Sequence, residues 1–368
     1  MRYVIVCENC QKQTQNLLAY KCPRCNEPVT LKQDTKFQKN RIHKHVYSVW
    51  RYLKFFPYIQ KSNIITLGEG WTPLIRYTRN LHFKLENLNP TGSFKDRGST
   101  TLISAVHRQV KNAHGYLSED SSGNAGASIA AYAAKAKLKA KIYVPEKVAG
   151  PKFSQIQFYK AETVKVAGSR NKVAEEAQKK EKGKFYIGHI LHPLFRDGIR
   201  SLAYELAEQT NWKPPKRIYL PVSAGTLLLG VLEGFRHLDE ANIIKNPPTI
   251  VACQTSQVSP LYHRFKNLSY CPPEEVTSIA DALQSVNPPL LGLMDKQLRE
   301  ANGDAVAVEE TQTLEAFKEL AGNGFFVEPS SAVAYAAYKQ QLENRQVEKD
   351  ENVAIILTGS GLKSTLNP

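Results

Sequence analysis

The chain has 368 residues, 42% of them hydrophobic, and a formal net charge of +15. That length suits two or three domains with sizeable cores. No apolar run approaches the roughly 20 residues of a membrane span, and "MRYVIVCENC" is too short and cysteine-rich for a signal peptide, so a cytoplasmic protein without a membrane partner is expected. The basic residues are scattered over predicted helix faces and are not massed with aromatics. This argues against a nucleic-acid partner and leaves a diffuse field suited to anionic small molecules.

In chain order, the first feature is a pair of C-x2-C knuckles, Cys7/Cys10 and Cys22/Cys25. Four thiolates at this spacing can wrap one tetrahedral zinc, closed to substrate and therefore structural. Two disulfides are the competing reading, which a reducing cytosol disfavours. "YVIVC" and "LLAYKC" read as short strands leading into the knuckles. Next, "RIHKHVYSVWRYLKFFP" (41–57) has apolar residues at helical spacing and stops at Pro57. After the loop "GEGWTPL", strand and helix patterns alternate. The strands are "LHFKLE", "AHGYLS", "KAKIYVP", "AETVKVAG", "RIYLPVS", "TIVACQT" and "VAIILTG". Apolar strands separated by helices of ten to fifteen residues predict an α/β fold with parallel sheets. The Pro-rich segment 257–303 reads as irregular and lid-like.

In such sheets ligands gather over the helix starts at the carboxyl ends of strands. Four stretches carry suitable residues. "NPTGSFKDRGS" places one lysine, Lys95, where a turn becomes a helix. "SSGNAGAS" opens a helix with Ser121, Ser122, Gly123 and Asn124, whose amides suit a carboxylate or simply cap the helix. "PVSAGTLLLG" turns across Ser223, Ala224, Gly225 and Thr226, a cradle for a phosphate that matches neither the Walker pattern nor G-x-G-x-x-G. "LTGSGLKS" ends the last strand at Thr358. A lysine, a carboxylate nest, a phosphate cradle and a strand-end hydroxyl are together the parts of a pyridoxal-phosphate site.

The order of "GEGWTPL", "KLENLNPTGSFKDRGS", "SSGNAGAS", "YVPEKVAGPK", "PVSAGTLLLG", "FVEPSSA" and "TGSGLK" resembles the threonine synthases, of pyridoxal-phosphate fold type II, over nearly the whole chain. The cysteine-rich start resembles archaeal members. The resemblance implies a two-domain fold type II enzyme with a small zinc ribbon. The expected boundaries are 1–35 for the ribbon, 36–110 with 206–368 for the larger cofactor-binding domain, and 111–205 for the smaller one. It further implies pyridoxal 5'-phosphate as cofactor, Lys95 as its Schiff-base lysine and Phe94 behind the pyridine ring. Asn124 would bond the ring 3'-oxygen, Ser223–Thr226 the cofactor phosphate and Thr358 the ring nitrogen. Ser121–Asn124 would take the substrate carboxylate. Asp96 and Arg97 read as structural. Glu328 lies near the ring in the family and reads equally as a cap ahead of Pro329.

The implied reaction converts O-phosphohomoserine and water to threonine and phosphate, and a homodimer is the expected assembly. The chain departs from the family at "HPLFRDGIRS" (192–201) and at Ser360, where the family often has His. Arg196 and Arg200 in that stretch are the expected readers of the substrate phosphate. The departures leave room for a sulfur-transfer relative acting on a phosphorylated amino acid, or for a serine/threonine dehydratase. A non-catalytic regulator is disfavoured by the intact Lys95, "SSGNAG" and "SAGT".

Overall fold

The computed structural model of the protein describes residues 3–365. The strands are β1 (Tyr3–Cys7), β2 (Gln13–Thr14), β3 (Val29–Gln33), β4 (Leu74–Arg76), β5 (Leu81–Leu85), β6 (Tyr116–Glu119), β7 (Lys139–Pro145), β8 (Glu162–Val166), β9 (Lys184–Tyr186), β10 (Arg217–Pro221), β11 (Thr249–Thr255), β12 (Asp304–Val308) and β13 (Val353–Leu357). The α-helices are α1 (Lys95–Asn112), α2 (Asn124–Lys135), α3 (Pro151–Phe158), α4 (Arg170–Gln178), α5 (Pro193–Ile199), α6 (Ser201–Gln209), α7 (Thr226–Glu240), α8 (Pro260–Phe265), α9 (Leu291–Glu300), α10 (Glu310–Gly322) and α11 (Pro329–Glu343).

These elements fall into two compact units. Among the described residues, one comprises 3–70, 89–199 and 365, and the other 71–88 and 200–364. The expected larger domain over 36–110 is therefore divided: 36–70 and 89–110 belong with the first unit. The reason is visible in α1, which begins at Lys95 and packs on α5 and α2 of that unit, so only the hairpin β4–β5 passes to the other.

The first unit holds two sheets. In the ribbon, β1 lies between β2 and β3 and is antiparallel to both. The other sheet, in order β8-β7-β6-β9, is parallel throughout. The second unit is built on a six-stranded sheet, β12-β11-β10-β13-β5-β4, parallel except for the edge strand β4. Its middle strand β13, Val-Ala-Ile-Ile-Leu, is buried at every position. That is the continuous apolar run of a strand covered on both faces. Val251, Ile355, Phe83 and the small residues of α11 form one core there.

All seven expected strands after residue 80 are present. β4, β9 and β12 were not foreseen. "LLAYKC" forms no strand, only a single bridge from Lys21 to Pro28, and β3 completes the ribbon instead. The expected helix over 41–57 is replaced by 3-10 turns at Lys39–Arg41 and Val49–Phe55. There the Arg51 guanidinium donates to the carbonyls of Lys44 and Val46 at 2.5 and 3.1 Å, holding an irregular chain where the apolar spacing suggested a regular one. The segment 257–303 carries α8 and α9, which pack on each other.

Candidate functional site

In the first unit the site begins with the turn 89–94. Gly92 takes φ +79°, and its amide donates to the Asn89 carbonyl at 2.7 Å. The chain then enters α1 at Lys95. Asp96 fixes this entry, since its carboxylate accepts from the Thr91 amide (2.7 Å) and hydroxyl (2.6 Å) and from the Ser128 hydroxyl of α2 (2.6 Å). A carboxylate in a first helical turn also favours the helix dipole. Lys95 itself remains half-buried, its Nζ 4.3 Å from the centre of the Phe94 ring. Beside it, the Ser93 hydroxyl is buried and has no hydrogen-bond partner among the described residues. A buried hydroxyl in that position is a place where a bound polar group would be welcome.

The loop after β6 supplies the second element. Ser121, Ser122 and Gly123 are half-buried and run into α2 at Asn124. The Ser121 hydroxyl accepts from the Gly123 amide at 3.3 Å. A side chain at Gly123 would meet nothing nearer than that hydroxyl, at 3.9 Å, so the space over this first turn is open. Gly126 is different. A Cβ there would lie 1.8 Å from the Ser121 carbonyl oxygen, so the loop closes over the helix only because residue 126 has no side chain. Gly126→Ala should displace Ser121–Gly123 and cost about 1–3 kcal/mol by overpacking. We expect about a tenfold rise in KM for the amino-acid substrate with cofactor content retained, measured by steady-state kinetics, by analogy with the loss of one or two oriented hydrogen bonds.

A group the sequence did not single out stands under this loop. Glu119, the last residue of β6, is fully buried and accepts from the His189 amide at 3.0 Å, with His189 Nδ1 at 2.7 Å. Asp120 accepts from Tyr186 (2.7 Å) and Arg170 (2.7 Å). Burial pushes the Glu119 carboxyl well above the usual carboxylate range, and the Asp120 charge adds to this. The positive charges of Arg170 and Lys95 act in the opposite sense. Burial and the Lys95 charge hold His189 well below the usual imidazole range. The only trace in the sequence is an acidic pair directly before Ser121.

In the second unit the corresponding pieces sit at the carboxyl ends of neighbouring parallel strands, β10 and β13. After β10, Ser223 and Ala224 are half-buried, and Gly225 takes φ +91° as the N-cap of α7. A Cβ on Gly225 would also strike the Met294 sulfur at 2.2 Å, so both the backbone angle and the packing require glycine. Thr226 is buried as the first residue of α7. After β13, Thr358 is held by Ser331 of α11. The two hydroxyls are 2.8 Å apart, and Ser331 Oγ accepts from the amides of Thr358 and Gly359 at 3.1 and 2.9 Å. Glu328 is the N-cap position of α11 but makes no side-chain cap. Its carboxylate instead lies where a Cβ of Gly359 would fall, next to Thr358.

The two arginines expected to read a substrate phosphate lie in α5 and just ahead of α6. Arg196 is buried in α5, and its guanidinium donates to the carbonyls of Ile190 (2.9 Å), Leu191 (3.0 Å) and Val29 (2.6 Å). Arg200 has no exposed surface and lies with its guanidinium carbon 5.7 Å from the Tyr204 ring centre. Both side chains are buried, Arg196 against backbone carbonyls and Arg200 against an aromatic ring.

The four ribbon cysteines do converge, with all sulfurs within 4.8 Å of one another. Cys7–Cys25, Cys10–Cys22 and Cys10–Cys25 are separated by 3.4, 3.5 and 3.6 Å, so none is disulfide-bonded. The Cys10 and Arg24 amides donate to the sulfurs of Cys7 and Cys22 at 3.5 and 3.4 Å. Among the described residues no helix is long and apolar enough to cross a membrane.

Residues 65–359 match the family described as "Pyridoxal-phosphate dependent enzyme". The threonine synthase of Methanocaldococcus jannaschii is 32% identical over 341 residues, 89% of this chain and 84% of that protein. The threonine synthase of Methanosarcina acetivorans is 28% identical over 378 residues, 98% of this chain and 92% of that protein. Among solved structures, maize serine racemase aligns with a TM-score of 0.67 at 23% identity over 79% of this chain and 88% of that one. Threonine deaminase isoform 2 of Solanum lycopersicum aligns at 0.67 and 18% over 89% and 86%. At those identities the two structures share the fold and carry nothing further.

Proposed function

The chain belongs to the pyridoxal-phosphate-dependent enzymes, and from that premise we propose that it is a lyase of the threonine synthase type, converting O-phosphohomoserine and water to threonine and phosphate. The observation that carries this reading is Lys95. It is a half-buried amine at the first position of a helix whose start is locked by Asp96, over an aromatic ring and beside an unsatisfied hydroxyl.

When bound, the cofactor supplies an electron sink that acidifies the substrate's Cα proton. Lys95 would hold the cofactor covalently and yield its place to the substrate amine. The freed amine would then take protons from Cα and Cβ as phosphate leaves Cγ, and return them to Cγ and Cα as water adds its hydroxyl at Cβ and gives its own proton to the released phosphate. The amides of Ser121–Asn124 would orient the substrate carboxylate, and the Asn124 side chain would bond the ring 3'-oxygen. Ser223–Thr226 would hold the cofactor phosphate through amides and hydroxyls at a helix start. Thr358, fixed by Ser331, would present a neutral hydroxyl to the ring nitrogen and leave it unprotonated, which suits elimination and replacement over transamination. Release of phosphate from O-phosphohomoserine, with threonine identified as product, tests the assignment. Neither product forming from that substrate would overturn it.

The commitment of the Arg196 guanidinium to three backbone carbonyls favours one second reading, a dehydratase acting on an unphosphorylated hydroxy amino acid. It would release a keto acid from serine or threonine and no phosphate, so the two are separated in one assay.

We infer that the cysteine cluster holds one structural zinc. Zn–S bonds of about 2.3 Å to a tetrahedron place the sulfurs roughly 3.8 Å apart, close to the observed separations. Metal analysis should give about one zinc per chain, and Cys7→Ser with Cys10→Ser should remove it. A double variant that keeps its full metal content would refute the ligand set.

A further inference from the structure

Helix α5 is wedged between the ribbon and the helix that begins with Lys95. On its ribbon side Arg196 reaches Val29, whose neighbour across the ladder is Cys7 and which shares one apolar cluster with Cys7 and Cys22. Asp197 accepts from the Tyr58 hydroxyl at 2.6 Å, and the Tyr58 ring meets Tyr3 of β1 edge-on at 5.8 Å. On its other side α5 is pressed into α1. The Phe195 ring lies 2.5 Å from where a Cβ of Gly98 would be, and Gly98 is one turn beyond Lys95. A Cβ on Gly198 would lie 2.2 Å from the Arg97 carbonyl oxygen and 2.0 Å from Thr101 Oγ1. The Thr101 hydroxyl in turn donates to the Leu194 carbonyl at 3.1 Å. A second route bypasses α5. Tyr20, between the knuckles, packs edge-on against Tyr186 at 4.8 Å, and Tyr186 holds Asp120 ahead of the Ser121 loop.

We propose that α5 couples the cysteine cluster to Lys95, with Arg196 as the positioning residue, so that the metal state of the ribbon sets the placement of the lysine. Packed elements of this kind have no slack. Glycines at 98 and 198 bring α5 and α1 into direct contact, and a displacement of one is transmitted to the other. The guanidinium suits the role because its rigid planar fork holds the Val29 carbonyl on one nitrogen and the Ile190 and Leu191 carbonyls on the other at a fixed spacing, where an ammonium donates from a single point. The inference rests on the preceding reading that Lys95 holds the cofactor and the cysteines a zinc.

The test uses the holoenzyme and Arg196→Lys, which keeps the charge and loses the fork. Three quantities are read: zinc release to a chelator, the visible circular dichroism of the bound cofactor, and kcat and KM for O-phosphohomoserine. Zinc release should quicken by on the order of tenfold, as when groups supporting a metal site are removed. The visible dichroism should shift, and kcat should fall with KM unchanged. Cys7→Ser with Cys10→Ser should produce the same dichroism change, and adding Arg196→Lys to that variant should change it no further, the mark of one shared path. If Arg196→Lys is poorly folded, Tyr58→Phe, which removes only the hydroxyl that donates to Asp197 of α5, replaces it, with the same expected shift in zinc release and dichroism. Unchanged zinc release and dichroism together with a raised KM would overturn the coupling and return Arg196 to the substrate. Wild-type protein that binds no zinc, or no cofactor, would instead overturn the earlier reading and this one with it.

Discussion

Lys95→Ala is expected to lower turnover by about 10³-fold or more, the largest effect of any single substitution here, since positioned proton transfer alone contributes roughly 10²–10⁴-fold. Two losses combine in that variant: the covalent hold on the cofactor and the base that serves Cα. The helix should survive, because alanine is the best helix former and the entry to α1 is fixed by Asp96 and Thr91 rather than by the lysine. Wild-type protein should be yellow, and borohydride should attach the cofactor permanently to Lys95. In Lys95→Ala the cofactor should dialyse away after the same treatment. Activity within tenfold of wild type would remove Lys95 from the chemistry.

The largest stability effect should come from a buried ion pair in the second unit. Lys84 of β5 and Glu205 of α6 have no exposed surface and are in direct contact, and the ammonium also donates to the Thr72 carbonyl (2.6 Å) and to Gln209 (2.8 Å). The second oxygen of Glu205 accepts from the Trp71 amide at 2.7 Å, at a residue with φ +49°. One carboxylate thus neutralises a buried lysine and pins the strained turn in "GEGWTPL". Glu205→Leu removes the carboxylate in direct contact with the buried ammonium and should cost about 3–5 kcal/mol. In a unit of this size that corresponds to a fall in Tm on the order of 10 °C. Adding Lys84→Met should restore much of the loss, because a buried pair replaced by apolar groups is often neutral. A Tm within 2–3 °C of wild type for Glu205→Leu would show that the charge is relieved in some other way.

The sequence showed the site more clearly than it showed the supports of the site. Lys95, the Ser121–Asn124 loop, Ser223–Thr226 and Thr358 could be found because a turn followed by a helix leaves local marks of glycine, proline and small polar residues. Glu119 and His189 left no such mark, and Ser331, although it lies in "FVEPSSA", was not singled out. Their partners lie 70 residues away for Glu119 with His189 and 27 for Ser331 with Thr358, and nothing local signals that a carboxylate at a strand end will be buried. The arginines pose the opposite problem. Arg196 and Arg200 stand beside a suggestive motif, but whether a guanidinium faces a ligand or a carbonyl depends on the packing of α5 and α6, which periodicity does not reveal. The stretch 41–57 has helical spacing yet folds as 3-10 turns, since its apolar residues serve several neighbours rather than one face.

The place of β13 in its sheet governs the order in which the chain can be completed. β5 (81–85) is paired on one side with β4 and on the other with β13 (353–357). Until residues 353–357 have been synthesised, β5 has only a three-residue antiparallel neighbour, and a lone two-stranded hairpin is at best marginally stable in water. Phe83 and Leu85, both buried in the finished sheet, are among the side chains left to wait. The first unit faces no such delay, because its parallel sheet β6–β9 is complete by residue 186. Synthesis from the N-terminus therefore allows the lysine-bearing helix to find its partners α2 and α5 first. The strand that precedes it in sequence is among the last to be enclosed, and it carries the chain's exposure to misassociation while translation continues.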